Sequence, residues 1–330
     1  MKEGKPNDDV LRSVSRSFYL SMRLLPIALR QPVGLAYLLA RASDTIADTP
    51  EVPAADRLEF LDRLSTSIQE GHLGVVEDRP KRFAALQQDI SERKLIESLP
   101  IYFAALSQCA DRDRWDIRSV LAHINEGQRR DIKRFGQRGR LAALETVEEL
   151  RQYTYLVAGC VGEFWTELCA RYLPKFSDRD IAEMNVLGVN YGRGLQLINI
   201  LRDIGDDLRD GRCYMPAEEL AGAHISVDSI FANRERFALV HTRWRREAEK
   251  NIADGIEYSV AIQNRRVRVA SALPALIGAR TLALIRDAGT AVLDRKVKVP
   301  RQEVRAVLTT LTARLGSRRT IRALYERLRR

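Results

Sequence analysis

Apolar residues recur at helical spacing along almost the whole of this sequence, and nowhere do they alternate between turn signals as strands would. That pattern confines the chain to helix-on-helix packing. It predicts helices over residues 10–24, 31–48, 53–70, 92–109, 112–135, 145–172, 178–209, 227–262, 264–294 and 301–330, with Pro100 bending or splitting the fourth. Only 19 glycines and 11 prolines punctuate 330 residues, too few for a turn-rich β chain. No Pro-, Gly- or Ser-rich linker, low-complexity run or fixed-period repeat divides the chain. The expected architecture is all-α: a single-domain helical bundle covering residues 1–330, large enough at 37.5 kDa to bury a sizeable core.

Apolar residues at 45% and charged residues at 30% are globular proportions. No stretch approaches eighteen uncharged apolar residues and MKEGKPNDD has no apolar core, so neither a transmembrane anchor nor a secretory signal is expected. Cys109, Cys160, Cys169 and Cys213 form no CxxC, which fits a reduced, cytoplasmic compartment. His72, His123, His224 and His241 are too scattered to ligate a metal. The net charge is +10, but residues 301–330 hold nine arginines against two glutamates. A chain whose excess charge sits mostly in one segment, with no nucleic-acid motif, is not expected to bind DNA or RNA. The basic segment from residue 300 to 330 has two readings: a solvated helix face, or a foot in peripheral contact with anionic headgroups on the inner face of a membrane.

Chemistry concentrates in two helical segments. In 31–50, Tyr37, Arg41, Asp44 and Asp48 are spaced four, three and four on a helix apolar around most of its circumference. Buried carboxylates need neutralising; Arg41 would serve one and a divalent cation the rest. In 188–216, Gln196, Asn199, Asp203 and Asp207 are spaced three, four and four, flanked by Arg202, Asp206 and Arg209. With 22 aspartates a lone DxxxD is weak, and Asp206/Asp210 reads as a solvated face. The other two pairs lie in apolar helices, each with an arginine alongside. Two such stripes facing one another would make an oxygen-rich cage for Mg²⁺ shared with a substrate diphosphate. The matching chemistry is diphosphate departure, with a dry, aromatic-lined apolar cavity for the carbocation left behind.

These segments resemble the squalene/phytoene synthase family, the head-to-head trans-prenyltransferases. The matches run in order: SRSFYLSMRLLP at 15–26, DTIAD at 44–48, YTYLVAGCVGEFW at 153–165 and NILRDIGDDLRDGRCYMP at 199–216, supported by LPALIGARTLALI at 273–285 and KVKVPR at 296–301. The wording of YTYLVAGCVGEFW and GRCYMP leans toward the squalene synthase branch. The resemblance implies an isoprenoid-synthase helical fold with a central apolar cavity. It gives Asp44, Asp48, Asp203 and Asp207 to Mg²⁺-diphosphate and Tyr153 to catalysis beside the leaving group. Ser15, Arg16 and Ser17 would contact substrate diphosphate and Phe18 the cation pocket, with Tyr37, Arg41, Gln196, Asn199 and Arg202 in support. Tyr37, Arg41, Asn199, Arg202 and Lys298 would also meet NADPH. GVNYGRG at 188–194 lies in a helical pattern and is no dinucleotide fingerprint; its glycines are expected to permit close helix packing.

The implied reaction joins two molecules of farnesyl diphosphate to presqualene diphosphate, which NADPH-dependent rearrangement turns into squalene. Without hydride the same scaffold would stop at presqualene diphosphate or give dehydrosqualene, or phytoene from longer substrates. Two other readings are a catalytically idle assembly module, which would not need four inward carboxylates, and a basic nucleic-acid binder. Trp115, Trp165 and Trp244 read as core or interface, Phe164 and Cys160 as core or tunnel lining, Asp131 as a minor acidic candidate, and Thr49 to Ala55 as a flap.

Overall fold

The structure is a computed structural model describing residues 10–14, 21–49, 51–71, 79–137 and 139–330. They divide into two compact units, Met1–Gly136 and Gln137–Arg330.

In the first unit, short helical pieces at 10–14 and 21–24 precede α1 (Ile27–Ala47), which begins after Pro26. α2 (Ala54–Glu70) ends where Gly71 takes the left-handed cap, φ 84°. α3 (Arg79–Ala85) leads to α4 (Ile90–Glu97), whose Asp89 cap accepts from the Ser91 and Glu92 N–H groups. Pro100 does split the predicted 92–109 helix, into α4 and α5 (Leu99–Ser107), because its ring is tolerated only in a first turn. α6 (Asp111–Phe135) starts with Asp111 and Asp113 and ends with Lys133 and Arg134, the charge order its dipole favours. α1 and α2 both pack on α6. Leu29, Leu38, Leu39, Ile46, Phe60, Leu64, Ile68 and Leu121 are buried there.

In the second unit a parallel pair of two-residue strands, β1 (Ala142–Ala143) and β2 (Arg212–Cys213), is the one named pairing among the described residues; the helical reading had no strand. The predicted 145–172 helix is three elements: α7 (Val147–Thr154), a π-helical turn at Tyr155–Gly159, and α8 (Cys160–Tyr172). α9 (Ile181–Arg209) is the longest helix, followed by α10 (Ala217–Gly222), α11 (Arg234–Ala261) and α12 (Arg265–Ala288). Three 3₁₀ residues at Val227–Ser229 precede α11, so that helix starts later than predicted. The segment predicted as one helix over 301–330 is two, α13 (Arg301–Ala313) and α14 (Arg318–Leu328). Leu315 and Gly316 break it with φ 48° and 62°, and Gly316 sits against Val269, where a Cβ would fall 2.6 Å from that side chain.

α9 packs on α8, α11 and α12. Its glycines do what packing requires. A Cβ on Gly192 would run into the Ala158 carbonyl, and Gly188 lies against the Gly162 backbone. Gly194 does the same toward α11, where a Cβ would stand 2.8 Å from that of Asn251. The GVNYGRG glycines therefore set helix separation. On the inside of α9, Met184, Tyr191 and Ile198 are buried, while Leu187 and Leu195 are only half-buried. Among the described residues one stretch, Arg265–Leu293, is by length and composition apolar enough to cross a membrane, although Arg268 and Arg280 interrupt it short of eighteen uncharged residues. Most of it is buried by α9, α11, α13 and α14, which explains an apolar surface on every side. All four cysteines are free thiols.

Candidate active site

On α1 the four-residue stripe forms as spaced. Arg41 pairs with the Asp44 carboxylate and, with its other nitrogen, meets Glu92 of α4 at 2.6 Å. Gln128 of α6 donates to Asp44 Oδ1 at 3.1 Å. A third of the Asp44 side chain reaches solvent, yet its carboxyl is pushed up to about 6. Burial is the main cause and the Asp48 charge the second, against the pull of Arg41. Asp48, at the C-cap of α1, is exposed. The Tyr37 hydroxyl donates to the Val14 carbonyl at 3.2 Å, tying the 10–14 segment to α1.

Glu92 and Gln128 carried no signal in the sequence. Glu92 is one acidic residue in a short helix, and GQRRD drew attention to Asp131 instead, whereas the residue that reaches Asp44 lies three positions earlier. Asn125, one turn before Gln128, is buried with neither amide atom partnered among the described residues. Arg57 donates to the Ala47 carbonyl, and Gln87 to the Thr49 hydroxyl at 3.0 Å, so the start of the expected 49–55 flap is fastened to its own unit. Ser15, Arg16, Ser17 and Phe18 lie outside the described residues, as does Pro50.

On α9 of the second unit, Arg202 grips the neighbouring Asp203 with two bonds, 3.0 Å from Nε and 2.6 Å from Nη2. Lys296 adds a second cation, 3.7 Å from Asp203 and 2.9 Å from Asp206. The hydrogen bond and charge of Lys296 hold Asp206 below the ordinary carboxylate range. Lys296 belongs to KVKVPR, but it is this lysine and not Lys298 that meets the carboxylates; Lys298 is exposed and makes no ion pair among the described residues. Asn199 is exposed and donates to Gln196 Oε1 at 3.4 Å. The Gln196–Asp207 stripe thus follows the accessible side of α9, with Leu197, Ile198, Ile200 and Leu201 buried behind it. Asp206 and Asp210 are exposed, as the solvated reading has it.

The β1–β2 pair explains the place of Tyr153. It fixes the chain leaving α9 beside the start of α7, so that Tyr214 stacks on Tyr153 with ring centroids 5.0 Å apart and planes at 23°. The π turn follows at once. Inside it the Tyr155 hydroxyl donates to Glu163 at 3.0 Å, and the Arg193 guanidinium lies over its ring. Burial pushes Tyr155 up to about 12, helped by the Glu163 carboxylate. π turns collect at functional sites, and helical periodicity gives no warning of one. Phe164 and Cys160 are buried in packing. Trp244 is core and donates to Glu219; Trp115 is 57% exposed beneath Arg112, which removes the core reading for it.

The residues fit magnesium in chemistry. Each pair offers hard carboxylate oxygens four residues apart, and the Asp44–Asp48 repulsion is what a bound cation would relieve. Among the described residues no three His, Cys, Asp or Glu side chains gather into a ready-made metal cage. Mg²⁺ suits that arrangement, since it completes its shell with water and substrate phosphate oxygens. Of the residues the resemblance gives to NADPH, Arg41 and Arg202 are engaged by carboxylates and Tyr37 by Val14, while Asn199 and Lys298 are exposed on the second unit.

Known proteins share this architecture. TcSQS in complex with a ligand superposes with a TM-score of 0.74 over 98% of this chain and 96% of its own, at 21% identity, a likeness of fold. The 15-cis-phytoene synthase of Synechococcus elongatus is 28% identical over 70% of this chain and 65% of its own length. The squalene synthase of Schizosaccharomyces pombe is 23% identical over 84% of this chain and 58% of its own length. The chain therefore spans less than two thirds of these curated relatives. The profile of squalene/phytoene synthases matches residues 11–303, a range that takes in both aspartate pairs, the tyrosine-led π turn and the lysine-bearing 296–301 segment, and the chain belongs to that family.

Proposed function

We propose that the protein condenses two molecules of farnesyl diphosphate head to head, releasing diphosphate and forming presqualene diphosphate. The observation that carries this reading is one arrangement occurring twice, on α1 and on α9: an aspartate pair at four-residue spacing whose first member is held by an arginine. Magnesium bound by Asp44, Asp48, Asp203 and Asp207 would supply the charge that stabilises departing diphosphate.

The chain's own groups prepare that step. Arg41, itself oriented by Glu92, and Gln128 fix the Asp44 carboxylate. Arg202 grips Asp203, and Lys296, shared between Asp203 and Asp206, puts a second cation where an anionic leaving group would sit. Tyr153, held by Tyr214, would assist at the leaving diphosphate. Loss of diphosphate from one substrate leaves an allylic cation. The 2,3 double bond of the second substrate attacks it, and proton loss closes the cyclopropane.

The reading extends to squalene as the product when NADPH is supplied. What supports it is reach, since the squalene synthase match covers 84% of this chain at 23% identity and the phytoene synthase match 70% at 28%. The test is turnover of the purified protein with farnesyl diphosphate and Mg²⁺, with and without NADPH, products identified by mass spectrometry. Squalene only with NADPH, and presqualene diphosphate or dehydrosqualene without it, is the expected result. Turnover confined to geranylgeranyl diphosphate would move the chain to the phytoene branch, and no turnover of either substrate would contradict the proposal.

A further inference from the structure

The α13–α14 pair lies along α12 as a flat hairpin. α13 starts beside Arg280, which meets Glu303 at 2.8 Å. The turn packs on the start of α12, where Arg268 donates to the Gly316 carbonyl at 3.0 Å. α14 then runs in the direction of α12 until Arg286 donates to the Arg329 carbonyl at 3.0 Å. Val307, Leu311, Ile321, Leu324 and Leu328 are buried beneath it.

The outward faces are a different surface. Arg301, Arg305, Arg319, Arg327 and Arg330 are exposed and have no acidic partner among the described residues. The two glutamates of the hairpin do not offset them, because Glu303 is held by Arg280 and Glu326 by Arg329. At the tip, Leu315 is 60% exposed beside exposed Arg314, held outward by a left-handed backbone. Where the hairpin meets α11 and α12, a cleft of about 510 Å³ has an apolar floor of Ile252, Ala279 and Leu282 and a rim on which Lys250, Arg286, Arg329 and Arg330 outnumber Glu249 and Glu326. Unpaired arginines around apolar positions match a surface that is anionic outside and apolar just below.

We infer that this face of the α13–α14 hairpin docks on the surface of an anionic lipid bilayer, with the arginines over the headgroups and Leu315 entering between them. The inference rests on the surface alone and is independent of the reaction. A nucleic acid would also be drawn to the charge, but has no use for Leu315 or for an apolar cleft floor.

The test is co-sedimentation of the full chain with phosphatidylcholine vesicles, with and without a third of phosphatidylglycerol. Binding is expected only with the anionic lipid and is lost in molar salt, where the Debye length shrinks to about 3 Å. Replacing three arginines together, R305Q, R319Q and R327Q, is expected to weaken it roughly a hundredfold, with an unchanged thermal midpoint. Leu315→Asn, which tolerates the same backbone, is a separate arm and should weaken it several-fold. Equal binding to neutral vesicles, no binding to anionic vesicles in low salt, or displacement by duplex DNA at equal phosphate with no effect of Leu315→Asn would overturn the inference.

Discussion

The two aspartate pairs share a spacing and little else. On α1, Asp44 is half-buried, meets one guanidinium that it shares with Glu92, and is pushed up to about 6. On α9, Asp203 is no more exposed, at 22% against 34%, yet it faces two cations, Arg202 and Lys296. The first member of the α1 pair shares its one arginine with another carboxylate, while the first member of the α9 pair has an arginine and a lysine beside it. A divalent cation therefore relieves more electrostatic strain at the first, while the second is better provided to receive a diphosphate anion.

The largest effect should be common to both. Asp44→Asn and Asp203→Asn are each expected to lower turnover of farnesyl diphosphate by roughly 10²- to 10³-fold, with far-UV circular dichroism unchanged. A several-fold loss at one pair only would break the symmetry of the metal assignment.

Below neutrality the second unit should weaken through His241, whose pKa burial lowers from 6.5 to about 4. The unfolded chain takes up that proton near pH 6.5 and the folded one does not, so this contribution is full above 6.5. It is lost as pH falls toward 4, at up to roughly 1.4 kcal/mol per unit. Urea midpoints of wild type and His241→Gln between pH 7 and 4 check this; equal slopes would remove His241 as the cause.

The side chains that hold each pair come next. Gln128→Ala and Lys296→Ala should each cost about tenfold in kcat/KM, the value of one hydrogen bond to a charge. Diphosphate, as a product inhibitor, should weaken for Lys296→Ala and stay near wild type for Gln128→Ala. The reverse order would contradict the contrast between the pairs.

The smallest difference is in stability without metal. Asp44→Asn removes a half-buried charge facing Asp48 and should raise stability by about 1 kcal/mol in EDTA, discounted for solvent screening. Asp203→Asn takes away the carboxylate that Arg202 grips and that Lys296 shares with Asp206, and should lower it. Thermal melts of both variants decide.

Much of this was legible in the residues. Helical period located every long helix; the apolar surroundings of Asp44 and Asp203 distinguished their pairs from solvated Asp206/Asp210, and GVNYGRG announced close packing because glycine in a helix interior needs a reason. What escaped was decided by contacts distant in sequence. Glu92, Gln128 and Lys296 are ordinary charged or polar residues until folding brings them to Arg41, Asp44 and Asp203, which lie 51, 84 and 93 positions away. The π turn at Tyr155–Gly159 keeps an almost helical pattern, and the break at Leu315–Gly316 replaces one amphipathic helix by two with the same apolar face.

The most direct measurement is Mg²⁺-dependent release of diphosphate from farnesyl diphosphate by wild type, Asp44→Asn and Asp203→Asn under identical conditions. Release by wild type only when Mg²⁺ is present, and its loss in both variants, is the predicted result. Release that persists in either variant, or that does not depend on Mg²⁺, would contradict the assignment of both pairs to one metal-assisted step.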